Sequence, residues 1–250
     1  MSKTRIIEAT KKLDIESVRK LLDMNPSLLN VPDRGERNLL HIACSVDCKK
    51  LHLPEIAAVR MADLLLDHGL DIESYVLDRS CDARCTPLFF AVALGRNTAL
   101  IKHLLKRGTS VRNSPGGCLF AAGWYDDVDH LDILIRAGAD IDPVVGVTPF
   151  FACWGWKKFE AAKFLATNGA NANYQEPKKG RTALHIGIEK EYDPALLKWL
   201  VQHGASPDIK DKEGITARER AARKRDKRWL KALFSDKAPT PRAREARGRS

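Results

Sequence analysis

The residues of this 250-residue chain best equipped for chemistry are its six cysteines and seven histidines. His41, Cys44 and Cys48 stand close together and Cys81 and Cys85 follow, so an imidazole and four thiolates could in principle be offered to zinc. The spacing weakens that reading. Three residues separate the cysteines of each pair, where two are commonest, and Cys44 sits at a small-residue position in an apolar run. Buried free thiols are the ordinary alternative. No Gly-x-Ser-x-Gly elbow, His-Glu-x-x-His pair or glycine-rich phosphate loop occurs. The expectation is therefore no enzyme, no cofactor and no metal.

The elements that would carry any site are marked by regular punctuation. Gly69, Gly108, Gly138, Gly169 and Gly204 each follow an apolar run, where a glycine in the left-handed conformation can end a helix. Asn38, Thr86, Gly117, Thr148, Thr182 and Thr216 stand at the starts. A hydroxyl or amide oxygen there accepts from the free first amides of a helix, and Pro87 and Pro149 suit the next position. The starts are spaced 48, 31, 31, 34 and 34 residues apart, close to a period of roughly 33 residues with room for two short helices in each.

Thr86-Pro87-Leu88, Thr148-Pro149-Phe150, Thr182-Ala183-Leu184-His185 and Leu40-His41-Ile42-Ala43 resemble the opening of the ankyrin repeat. Gly138-Ala139-Asp140-Ile141-Asp142 and Gly169-Ala170-Asn171-Ala172-Asn173 resemble its close. The resemblance implies an all-α solenoid of about seven helix-turn-helix repeats with short hairpin-like loops, a basic C-terminal cap and a tail. The expected units are 1–34, 35–79 with an insertion at 47–56, 80–112, 113–143, 144–176, 177–210 and 211–236, with 237–250 a disordered basic tail. The fourth unit departs from the pattern, opening on Gly116-Gly117-Cys118 where others have threonine. The resemblance also assigns His41 and His185 a structural role, hydrogen-bonded to neighbouring backbone.

The formal net charge is +10, and the stretch from Thr216 to Ser250 alone carries +9. That allows a second reading, association with nucleic acid or an anionic membrane surface. No apolar run is long enough to span a bilayer. The first ten residues do not resemble a secretory leader, so reduced thiols and a cytoplasmic location are expected.

Alignment by repeat brings out the most informative row. Eight residues beyond successive starts lie Val46, Leu94, Tyr125, Trp156 and Lys190. In a solenoid of this kind the position opens onto the concave face, where nothing in the chain covers it. Four of the five are apolar or aromatic, and Trp124 adjoins Tyr125. Such residues anchor protein interfaces, so the row is expected to bind another protein or peptide. Asp126 and Asp127 would give it an acidic rim and favour a partner with basic residues flanking an apolar anchor. Trp154 is expected in the core, and Phe89, Phe120 and Phe151, 31 residues apart, are expected to stack between repeats.

Overall fold

In a computed structural model, residues 2–78, 83–113 and 117–234 are described, and they group into two compact units, the chain passing from one to the other between Pro143 and Val144. Unit one contains four helix pairs: α1 (Ser2–Lys11) with α2 (Ile15–Met24), α3 (Leu39–Cys44) with α4 (Ile56–Asp67), α5 (Pro87–Phe90) with α6 (Thr98–Lys106), and α7 (Gly117–Trp124) with α8 (Val128–Arg136). A single π turn, Ala91–Gly95, extends α5. Unit two contains α9 (Pro149–Gly155) with α10 (Phe159–Thr167), α11 (Ala183–Glu189) with α12 (Pro194–Gln202), and α13 (Ala217–Arg223) with α14 (Arg228–Ala232).

Packing follows the repeat. In unit one α1, α3, α5 and α7 touch in succession, as do α2, α4 and α6. In unit two α9 touches α11 and α11 touches α13, with α12 against α14. No helix could bury its apolar face alone, so within each unit a pair leans on its neighbour.

Local chemistry accounts for the helix limits. Asn38, Thr86, Thr148 and Thr216 accept from the amides of His41, Phe89, Phe151 and Glu219 at 3.0, 3.3, 3.4 and 3.1 Å. Four of the second helices, α2, α6, α8 and α12, begin on Asp14, Asn97, Asp127 and Asp193, which cap in the same way. The ends of α4, α6, α8, α10 and α12 use the five stop glycines at φ 92–102°, and the next amide closes back five residues, as Ala139 N–H does onto Leu134.

The first helices end differently. Leu13, Arg96, Asp126, Lys157 and Glu191 take positive φ, 47–63°, without being glycine. Each except Glu191 immediately precedes the cap of the next helix. Between repeats the only ladder among the described residues is the antiparallel hairpin of β1 (Val76–Asp78) and β2 (Ala83–Cys85), with Leu77 opposite Arg84.

Candidate functional site

The row expected to face the open side has a varied fate. Val46 is only 8% exposed. It follows α3 by two residues and packs inward, which corrects the expectation that the row begins there. Leu94, Trp124 and Tyr125 are 46%, 54% and 39% exposed, all within unit one. Trp156, the C-cap of α9 in unit two, is 38% exposed. Lys190 is also exposed, and its ammonium donates to Gly155 O at 2.9 Å, a link back to the end of the preceding first helix.

The acidic rim is a correction at one residue. Asp127 accepts from His130 N–H at 3.1 Å and pairs with His130 Nδ1 at 2.9 Å, so its carboxylate is already committed to opening α8. Asp126 is half-buried and holds the left-handed turn at φ 58°.

Sequence reasoning missed Arg96. Its guanidinium lies over the Tyr125 ring, Cζ 4.4 Å from the centroid. This face-on contact suits a guanidinium and an aromatic ring. The available signal was local: a two-residue link between helices whose second residue is an Asn or Asp cap needs a left-handed residue just before it. Beside Leu94 opens a cavity of about 390 Å³ lined by Ile42, Val46 and Leu51 together with Lys11, Arg37 and Lys50.

The remaining candidates have structural surroundings. His41 is buried, its Nε2 3.1 Å from Ser74 O, and burial pushes its pKa down to about 4. His185 Nε2 lies 3.0 Å from Ile215 O and its Nδ1 meets Thr182, and burial lowers its pKa as well. Cys44 and Cys48 are buried, and burial raises both thiols above their ordinary range. Cys81 lies outside the described residues, as does 237–250. Among the described residues no group of three or more His, Cys, Asp or Glu side chains could hold a metal ion.

Trp154 is wholly buried, edge-on to Phe159 and Tyr192 at 5.6 and 5.8 Å between centroids. Phe89, Phe120 and Phe151 are half-buried rather than enclosed. Phe151 meets Tyr174 edge-on at 5.5 Å, and Tyr174 donates to Gly146 O at 3.2 Å.

Comparison with known proteins agrees with this architecture. The chain is 25% identical over 207 residues to the nuclear factor NF-kappa-B p105 subunit of Gallus gallus, covering 80% of this chain and 20% of that protein. It is 33% identical over 165 residues to an ankyrin repeat protein of Acanthamoeba polyphaga mimivirus, covering 60% of this chain and 38% of that one. It thus spans well under half the length of both relatives. Among solved structures, the ankyrin repeat domain of Bcl-3 aligns with a TM-score of 0.73 at 21% identity, covering 92% of this chain and 98% of that one. The human ASB11 ankyrin repeat domain aligns at 0.66 and 21%, covering 91% and 95%. No described helix is long and apolar enough to cross a membrane. A family model for ankyrin repeats in three copies matches residues 119–211 and 150–243, together half of the chain, and on that match the chain belongs to the ankyrin repeat family.

Proposed function

We propose that this chain binds another protein through the apolar side chains left open at the ends of its first helices. Ankyrin repeat domains are in general protein-interaction modules. The observation that carries the proposal is the exposure of Leu94, Trp124 and Tyr125 together in one unit. Side chains of this kind on a soluble surface mark interfaces. They bind by fixed presentation: helices hold them in place, so docking freezes little side-chain freedom.

Magnitudes limit what they achieve alone. Covering the exposed parts of the three removes on the order of 300 Å² from water, about 7 kcal/mol at the usual coefficient. Association itself costs about 4–15 kcal/mol. A partner must therefore engage more of the surface, and the cavity beside Leu94 is the nearest addition.

Binding nucleic acid or membrane through the basic cap has less support. Arg218, Arg220, Lys224 and Arg228 are each paired with a carboxylate, from Asp208, Asp211, Glu191 and Asp226. These cations are partly neutralised before any ligand arrives.

The test is selection of binders from a displayed protein-fragment library on the intact chain. Binders should lose at least about thirtyfold in affinity on Trp124→Ala with Tyr125→Ala, the loss expected of interface anchors. Arg223→Gln with Arg225→Gln should leave them unchanged. Retained affinity in the aromatic double variant would sink the proposal.

A further inference from the structure

Arg96 is held in a backbone conformation that its neighbour would adopt at less cost. It sits at φ 47°, ψ 41°, where a side chain with a Cβ costs roughly 1–2 kcal/mol, while Gly95 precedes it. The π turn explains the offset. Asn97 N–H closes back six residues onto Ala91 O, whereas Asp14 and Asp127 N–H close back five, onto Ala9 and Ala122. One extra residue moves the left-handed position from 95 to 96. Single π turns and tolerated backbone strain often accompany functional positions.

The result is a guanidinium held over the Tyr125 ring on an exposed residue. Among the described residues no ion pair and no side-chain hydrogen bond engages Arg96; its contact is the ring. The cations around the neighbouring cavity differ, since Lys11 pairs with Glu8 at 2.8 Å, Arg37 with Asp33 at 2.7 Å and Lys50 with Asp47 at 3.6 Å. The ring contact holds the head group of an exposed side chain, and a guanidinium whose N–H donors are not spent on a carboxylate can take one through two parallel hydrogen bonds. Two residues earlier, Leu94 lines the cavity together with Ile42, Val46 and Leu51.

Resting on the protein-binding reading above, we infer that Arg96 is a docking point for a carboxylate, and that the partner segment at this place is an acidic peptide whose apolar side chain enters the cavity beside Leu94. This reverses the charge expected of the partner from Asp126 and Asp127. Asp127 is committed to His130, and the cavity's own carboxylate, Asp47, already pairs with Lys50 and accepts from the Lys49 amide at 3.1 Å.

The experiment uses the intact chain and three fluorescent peptides that differ only in the residues flanking a central leucine, which are glutamate, glutamine or lysine. The glutamate peptide should bind at least about tenfold more tightly than the lysine peptide. Arg96→Gln should abolish the preference for glutamate over glutamine, and Leu94→Ser should weaken both peptides equally. Arg96→Gly, which relieves the positive φ, should lose the preference while keeping the thermal midpoint, so a folding defect cannot imitate the result.

A lysine peptide that binds as well as or better than the glutamate one, a preference that survives Arg96→Gln, or binding by none of the three overturns the inference. Displacement of the glutamate peptide by millimolar inorganic phosphate also overturns it, assigning the site to phosphate. Should only the inference fail, Leu94→Ser still weakens every peptide. Should the apolar reading fail, the glutamate preference stands and Leu94→Ser changes nothing.

Discussion

Three residues past the starts at Asn38, Thr86, Gly117, Thr148 and Thr182 stands a position that the chain fills with histidine at 41 and 185 and phenylalanine at 89, 120 and 151, while Thr216 is followed there by Glu219. The two choices link repeats by different physics. His41 and His185 reach a backbone oxygen about one repeat ahead, at Ser74 and Ile215. Phe151 instead meets the Tyr174 ring edge-on. The histidine link is sensitive to acid. His41 is buried and its pKa lies near 4, against an ordinary 6.5, so between those values the unfolded chain holds a proton that the folded chain does not. Stability therefore falls as pH drops below about 6.5, by up to about 1.4 kcal/mol per unit. Urea titrations at pH 7 and pH 5 should show His41→Phe losing about 2 kcal/mol less than the parent over that interval. An equal loss in both would show that His41 does not carry the sensitivity. The repeat position was legible from spacing, because phenylalanine recurs in register. The half-burial of those rings was not, since it depends on what the next loop offers, such as Tyr174.

Helix ends are where local sequence and tertiary packing part company. The caps at Asn38, Thr86, Thr148 and Thr216 and the glycine stops were readable because each acts on its own helix, within three or four residues. Val46 was misjudged because its burial is decided by side chains of other segments, and Arg96 was overlooked because a charged residue carries no sign of positive φ. Gly95 shows the packing side of the same turn. It is buried, and a Cβ built on it would stand 2.3 Å from Cys44 O, with backbone on both sides of the contact. Neither can yield as a flexible side-chain tip would, so the helix ends must separate. Gly95→Ala is expected to destabilise unit one by about 1–3 kcal/mol, the usual cost of overpacking, read as a lower urea midpoint with unchanged slope. A midpoint equal to the parent's would mean that the α3 and α5 ends are not in close contact. The π turn that buries Gly95 also places Arg96 over Tyr125, so the same substitution should blunt the peptide's glutamate preference.

At the scale of the whole chain, charge separates the two kinds of partner. Nearly all of the net +10 lies from Thr216 onward, yet within α13, α14 and their link the ion pairs to Asp208, Asp211, Glu191 and Asp226 leave Arg223, Arg225, Lys227 and Lys231 without a carboxylate among the described residues. Four phosphate contacts would give a slope of about −4 in log affinity against log salt. Residues 235–250 carry five more cations and could steepen it further. A protein partner held by Leu94, Trp124 and Tyr125 with one carboxylate on Arg96 displaces about one ion, so its slope should stay near −1, roughly a fourfold loss between 50 and 200 mM salt. Removing residues 235–250 should not change it, because those cations make no part of the contact. Titrating a selected binder against the full chain and the shortened one at both salt concentrations decides the matter. A shallow slope common to both places the binding energy in buried apolar surface. A slope steeper than about −4 that collapses on shortening would place it in the basic end, and the open side chains of unit one would then need another explanation.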